Sequence, residues 1–400
     1  MKKTIVIALA LMCNALAFAQ KAETIESIVT NSHDFEWYGQ QAEAWQKIVD
    51  ANPQDQWAWR NLLCATEYYE RFTNGYGNSL EEQDKSRPAD VIRKMETALP
   101  DSYVLNLSKC RFSLSADTIA SRRGDFVRRA VELMPEDACP EDVNYLACRM
   151  WITDPESPLV KELFTRSYRN RHYPARIMHF NHNMLQCMQP NAIYFANGDL
   201  DTAPMKMIQE ALGERTDVTI ISISFLHADS FMKALYKRLG IKPFDINVQD
   251  YGQYGEDWYK HYEADIMMYL INESKRPAYF SPTNPKTTII NKDSIYNEGL
   301  ILKYSPKQYD NFDVAMHNVK DVYDLEYLAE PDLVYDSWKT SGMIDLNHVT
   351  LLSHLIPKFK KKGDYAAAKH LRTILSKCLE RSKYAQPEYR EKMMKELWEK

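Results

Sequence analysis

Glycine is scarce in this chain, at 12 of 400 residues, while Tyr (25), Met (17) and Trp (8) are plentiful. Low glycine with many amphipathic aromatics weighs against a β-sandwich and suits a helical repeat protein. Beyond the first twenty residues no stretch approaches the ~20 consecutive apolar residues of a membrane-spanning helix. No C-x-x-C pair occurs, so Cys64, Cys110, Cys139, Cys148, Cys187 and Cys378 specify neither a disulfide framework nor a zinc site. Bridges and buried thiols both remain open for them. A basic excess is lacking as well. The net charge of −5 moves to about −7 without Lys2 and Lys3, which argues against a nucleic-acid partner. Local basic runs exist, such as Lys358–Lys362, which reads as a solvated helix end. G-x-x-x-x-G-K, G-x-S-x-G and H-E-x-x-H are all missing, so no phosphate loop, nucleophile elbow or zinc-protease helix is expected.

The first residues read as an export signal. Lys2 and Lys3 supply a positive n-region, Thr4 to Met12 an apolar run, and Ala17-Phe18-Ala19 a cleavage site before Gln20. Met12 precedes Cys13 where lipidation needs a small residue, so ordinary secretion is expected, periplasmic or extracellular. The remaining ~380 residues exceed one ordinary core. Their expected division follows the signal at 1–19 with a helical region over 20–170, an α/β module over 171–309 and helical hairpins over 310–400.

Gln40–Asn52 carries apolar residues at three-to-four spacing and stops at Pro53; Gln56–Phe72 follows with Trp59, Leu62, Leu63 and Tyr69. Arg122–Met134, Pro135 and Glu141–Trp151 repeat this grammar, which is similar to the tetratricopeptide repeat. Thr73–Pro88, rich in Gly, Asn and Ser, is expected to be a surface loop. The period changes after Ala192. Ala192–Asn197 and Val218–Phe225 read as buried strands, each followed by a helix, Thr202–Leu212 and Asp229–Leu239. Such alternation predicts a parallel sheet whose first two strands are neighbours. Pro277–Ser281 and Gly299–Tyr304 add two strands, and Ser341–Lys362 with Asp364–Leu379 a closing hairpin turned at Gly363-Asp364-Tyr365. The fold class is α+β and helix-rich: tetratricopeptide-like helical hairpins flank a small α/β module with a parallel sheet.

The module and the region after it resemble the soluble tail of a family of bacterial multi-pass membrane proteins. That family is of unknown function and related to protein O-mannosyltransferases of the transmembrane-protein-260 type. The resemblance rests on Asn191-Ala192-Ile193, Gly198-Asp199, Asp201-Thr202, Pro204, Arg215, Asp217-Val218 and Ser224-Phe225-Leu226. It continues through Arg276-Pro277, Tyr279-Phe280, Glu298-Gly299-Leu300 and Gly363-Asp364, covering about Tyr173 to Tyr384. Leu200 and Ala203 depart from its pattern, as does Met205-Lys206-Met207. The resemblance implies an accessory half of that family without its membrane-embedded sugar-transferring part, linked to protein glycosylation.

Asp199 and Asp201 flank Leu200 where a buried strand ends, the place at which α/β folds bind ligands. Two readings stand. The pair holds Mg²⁺ or Mn²⁺ through hard oxygens, or it caps and orders the start of the next helix. Asn197 and Thr202 are polar companions in either case, and Arg276 and Glu298 from the resemblance complete the candidate ligand set. His172, His179 and His182 cluster nearby, the last two on one helix face, but a hydrogen-bonded role suits them better than metal ligation. Asp250–Tyr262 concentrates aromatics that either stack on sugars or close a loop over the core. The function expected is that of an exported, non-catalytic interaction protein whose helical surface binds a polypeptide or envelope component, with no cofactor. The alternative is a divalent-cation-dependent enzyme acting on glycans or phosphoesters through Asp199 and Asp201.

Overall fold

The computed structural model describes residues 21–73, 84–112, 123–246, 248–290, 292–329, 338, 344–381 and a few positions after 386. The export signal, most of the expected loop Thr73–Pro88 and the first residues of the expected helix Ser341–Lys362 lie outside the described residues. The chain forms two compact units that divide between Asp142 and Val143.

The first unit is built from helices, and capping residues mark where several of them begin. In α1 (Phe35–Ala51) the Asp34 carboxylate accepts the Trp37 N–H. Gln56–Thr73 forms α2. Ser86 and Ser102 cap α3 (Arg87–Ala98) and α4 (Tyr103–Arg111), and α5 (Arg123–Glu132) follows. Each cap satisfies an N–H that the helix itself leaves unpaired. α1 packs on α2, α2 on α3 and α4 on α5, enclosing Tyr38, Trp59, Leu62, Ile92, Met95 and Leu107.

Charge is buried inside this unit. Arg60 on α2 is 3% exposed and binds Asp142 twice, at 2.7 and 3.0 Å. Arg111 reaches the same carboxylate at 3.3 Å and Glu141 at 3.0 Å. Glu141 and Asp142 open α6 (Pro140–Thr153). Two guanidinium groups thus face two carboxylates, which offsets the cost of taking all four from water.

The irregular stretch 21–27 is held by these helices through its backbone. Gln41 accepts the Glu23 N–H at 2.8 Å and donates to the Lys21 carbonyl at 3.1 Å. The Trp45 indole donates to the Glu23 carbonyl at 2.9 Å. Asn61 accepts the Ile25 N–H at 2.7 Å, Arg60 donates to the Ile25 carbonyl at 2.9 Å, and Glu141 accepts the Ser27 N–H at 3.0 Å.

The second unit carries the sheet. After α7 (Pro158–Arg169) and α8 (Ala175–Gln186) come β1 (Ile193–Ala196), α9 (Asp199–Leu212), β2 (Thr219–Ser222) and α10 (Asp229–Leu239). A 3₁₀ stretch, Val248–Asp257, leads into α11 (Trp258–Ser274), then β3 (Ala278–Phe280), β4 (Ile295–Asn297) and β5 (Leu302–Tyr304). The strand order is β2-β1-β3-β5-β4. β1 pairs in parallel with β2 and β3, Ile193 lying opposite Thr219 and Ala278, so the predicted parallel βαβ unit forms. All four residues of β1 are buried, as a central strand covered on both faces requires, and Phe195 stacks on Phe280 at 5.2 Å.

The sheet is parallel only at its core. β5 runs antiparallel to β3 and to β4. β4 escapes sequence reading because Ile295-Tyr296-Asn297 is short and partly exposed, without a buried strand's apolar run. At the β4–β5 turn Gly299 has φ +121°, and a Cβ there would lie 2.5 Å from the Tyr323 hydroxyl, which instead accepts the Leu300 N–H at 3.0 Å.

Beyond the sheet stand α12 (Asn311–His317), α13 (Glu326–Ala329), α14 (Leu346–Lys361) and α15 (Tyr365–Arg381), the last two packed together across a turn at Gly363. A buried Arg176–Asp345 ion pair of 2.7 Å joins α8 to the residue before α14. No disulfide forms among the six described cysteines, and no described helix is long and apolar enough to cross a membrane.

Candidate functional site

β1, β2 and β3 point the same way, so the segments that follow them gather at one edge of the sheet. The connections leaving β1 depart to β2 on one side, while β3 lies on the other. The crevice between the carboxyl ends of β1 and β3 is therefore the topological switch point, where open α/β sheets bind ligands. Asn197 after β1 and Thr283 after β3 meet across it, the Asn197 amide donating to the Thr283 hydroxyl at 3.3 Å.

The acidic turn starts α9 earlier than its sequence suggests. Gly198 is the N-cap, and Asp199 and Asp201 lie within the first helical turn. Asp201, 8% exposed, accepts the Gly198 N–H at 2.7 Å and the Asn197 N–H at 3.0 Å, one on each oxygen. A side chain three residues into a helix reaching back in this way is half of a capping box, and the helix dipole favours its charge. The Thr202 hydroxyl donates to the Gly198 carbonyl at 2.6 Å. Pro204 has no N–H for the Leu200 carbonyl one turn earlier, and the buried Asn181 amide donates to that carbonyl instead, at 2.8 Å.

Asp199 differs from its neighbour. Its carboxylate is exposed and makes no hydrogen bond or ion pair among the described residues. Partial desolvation and the Asp201 charge beside it hold its carboxyl above the ordinary carboxylate range.

The other two candidates lie elsewhere. Arg276 precedes β3 and so stands at the amino ends of the parallel strands, the edge opposite the acidic turn. Glu298 sits in the β4–β5 turn, 2% exposed, where it accepts the Tyr309 hydroxyl at 2.6 Å and faces Lys303 at 3.5 Å. Asn197, Asp199, Asp201 and Thr202 therefore share one turn, Arg276 does not join them, and Glu298 is engaged by its own partners.

Three groups at the carboxyl edge form a cluster that sequence reasoning missed. Glu263 on α11 bonds His227 at 2.8 Å, just past β2, and Lys286 at 2.6 Å, past β3. Lys286 and Glu263 are buried, and the ammonium stands 4.7 Å from the Tyr259 ring centre. Burial would push the Glu263 carboxyl up, but His227 and Lys286 together hold it below its usual range. No spacing announces a trio drawn from residues 227, 263 and 286; only the alignment of strand ends assembles it. The aromatic stretch divides its work. Tyr251 is buried and donates to Asp265 at 2.6 Å, whereas Tyr254 and Tyr259 are exposed, Tyr254 stacking on His261 at 3.7 Å.

His179 and His182 share α8 but take separate acids, Asp324 and Glu214, each at 3.0 Å, and His172 packs on Tyr173. No cluster of three metal-ligating side chains occurs among the described residues. A groove of about 350 Å³ runs along the outer edge of β2, floored by Trp151, Phe231 and Leu235. Arg238 guards that edge by donating to the Thr216 carbonyl at 2.8 Å and the Thr219 hydroxyl at 3.1 Å, which blunts a strand otherwise open to pairing.

These features define a helix-rich α+β protein with a parallel βαβ unit and a polar strand-end crevice. Residues 177–258, from α8 through the aromatic 3₁₀ stretch, match the model of the TMEM260-associated domain 2 and relate this part of the chain to the TMEM260-like family. Arg276, Glu298 and Gly363-Asp364 fall outside the matched residues. No curated protein and no solved structure matches the chain.

Proposed function

We propose that this protein is an exported, non-catalytic accessory or interaction protein of the cell envelope, working beside protein glycosylation. Its helical hairpins are read as tetratricopeptide-like surfaces that bind a polypeptide or another envelope component. The engagement of Asp201 carries this reading. Both its oxygens already accept backbone N–H groups. The acidic turn is left with one uncommitted carboxylate, a poor start on the oxygen-rich shell a hard cation takes.

The alternative is a divalent-cation-dependent enzyme acting on glycans or phosphoesters through Asp199 and Asp201, favoured by the exposed, unpaired Asp199 carboxylate. Thermal melts with Mg²⁺ or Mn²⁺ separate the two. The wild type is expected to melt alike with and without cation. A site filled at a hundred times its Kd would add ~2.7 kcal/mol. Such a gain, lost in the Asp199→Asn/Asp201→Asn double variant, would establish the alternative.

A further inference from the structure

The cleft that holds residues 21–27 reads main chain rather than sequence. Among the described residues six hydrogen bonds join this stretch to side chains of the helical unit, and all fall on Lys21, Glu23, Ile25 and Ser27. Engagement of every second residue is the period of an extended chain. Apart from these peptide groups, the stretch buries one side chain, Ile25, at 1% exposure.

The groups that grip it are held in place by other contacts. Gln41 and Asn61 are buried on α1 and α2, and the Asn61 amide is steadied by the Trp57 carbonyl at 2.8 Å. Arg60 is fixed by its two hydrogen bonds to Asp142, and the second oxygen of Glu141 by Arg111. Such preorganisation lowers the ordering cost of binding. A cleft that addresses peptide groups and one aliphatic pocket binds as strand-accepting recognition domains do, where main-chain bonds give affinity and side-chain pockets give specificity.

We propose that the unit of residues 35–142 is a receptor for an extended polypeptide segment carrying a β-branched aliphatic residue at the Ile25 position. Residues 21–27 are its occupant in cis, holding the cleft until a partner's segment exchanges for them. The inference rests on the reading of this chain as an interaction protein, and it gives the partner its chemistry.

The probe is a fluorescein-labelled peptide of residues Lys21–Val29, titrated into the full chain and followed by polarisation. In the wild type the tethered segment competes at an effective concentration of about a millimolar, so the peptide binds weakly. Ile25→Asp places a carboxylate in the aliphatic pocket and frees the cleft, which is expected to tighten peptide binding by about tenfold or more. Adding Asn61→Ala reverses the gain, and a peptide carrying Ile25→Asp binds neither chain. Should Ile25→Asp lose its helical circular dichroism, Ile25→Gly removes the anchor without burying charge. A folded variant that binds the peptide no better than wild type overturns the receptor. A concentration-dependent wild-type dimer dissolved by Ile25→Asp overturns the partner in favour of a second copy. The cation melts do not involve this cleft, so a flat titration beside cation-independent melts sinks the receptor alone.

Discussion

The helical unit and the α/β module use their acids in opposite ways. In the helical unit Asp142 is fully buried and faces two guanidinium groups. In the module Asp201 is nearly as buried but faces only backbone N–H groups, while its neighbour Asp199 faces water. Both acids sit in the first turn of a helix. Their roles differ because their surroundings lack different things. A strand end leaves peptide donors exposed, and the nearest carboxylate takes them. Beside an irregular segment, long side chains must reach in to bind peptide groups, and those side chains bring charge that needs a counter-charge.

The sharpest way to break this contrast is to remove the buried counter-charge. Asp142→Ala leaves Arg60 and part of Arg111 without their partner inside the unit, and loss of one member of a buried ion pair costs about 3–5 kcal/mol. Urea denaturation followed by circular dichroism should show that loss. A cost under ~1 kcal/mol, the range of exposed ion pairs, would mean water reaches these charges. The same variant should loosen residues 21–27, because Asp142 orients the Arg60 side chain that grips the Ile25 carbonyl. Hydrogen exchange at the Ile25 amide measures that directly.

Asp201→Ala tests the other side. Two backbone N–H groups lose their acceptor at the start of α9, and removing such a cap costs about 1–2 kcal/mol. Asp201→Asn retains one amide oxygen and should recover part of it. A neutral Ala variant would show that the turn is held by the Thr202 and Asn181 bonds instead.

How much of this was legible beforehand follows the same contrast. Helices with a clear period and a glycine stop, such as Asp229–Leu239 before the left-handed Gly240, are legible to the residue, because their local signals agree with their packing. The parallel pairing of β1 and β2 follows from the β-branched and aromatic runs and the short helix between them. The D-x-D spacing marks a turn that does lie at the switch point, yet spacing does not reveal that Asp201 serves the backbone. β4 was illegible because it is short and partly exposed; the Glu263 trio and the Arg60–Asp142 network were illegible for a different reason. Each is made by residues far apart in sequence, and no local period records a contact between residues 60 and 142 or between 263 and 286.

The smallest expected effect belongs to Asp199, and its sign is the informative part. Desolvation and the Asp201 charge raise its folded pKa above the unfolded value. The native state therefore binds the proton more tightly than the unfolded chain, and stability falls as pH rises from the unfolded pKa through the folded one. At neutral pH the charged Asp199 carboxylate works against the fold. Asp199→Asn should then raise the melting temperature slightly at neutral pH, with the gain shrinking as the medium is acidified below the usual carboxylate range. The exposure of the side chain keeps the effect small through solvent screening. Paired melts of wild type and variant across that range decide the matter. A variant that melts lower at neutral pH would show that the Asp199 charge has a partner in solution, which is what a bound cation would supply, and the two acids of this turn would then act together after all.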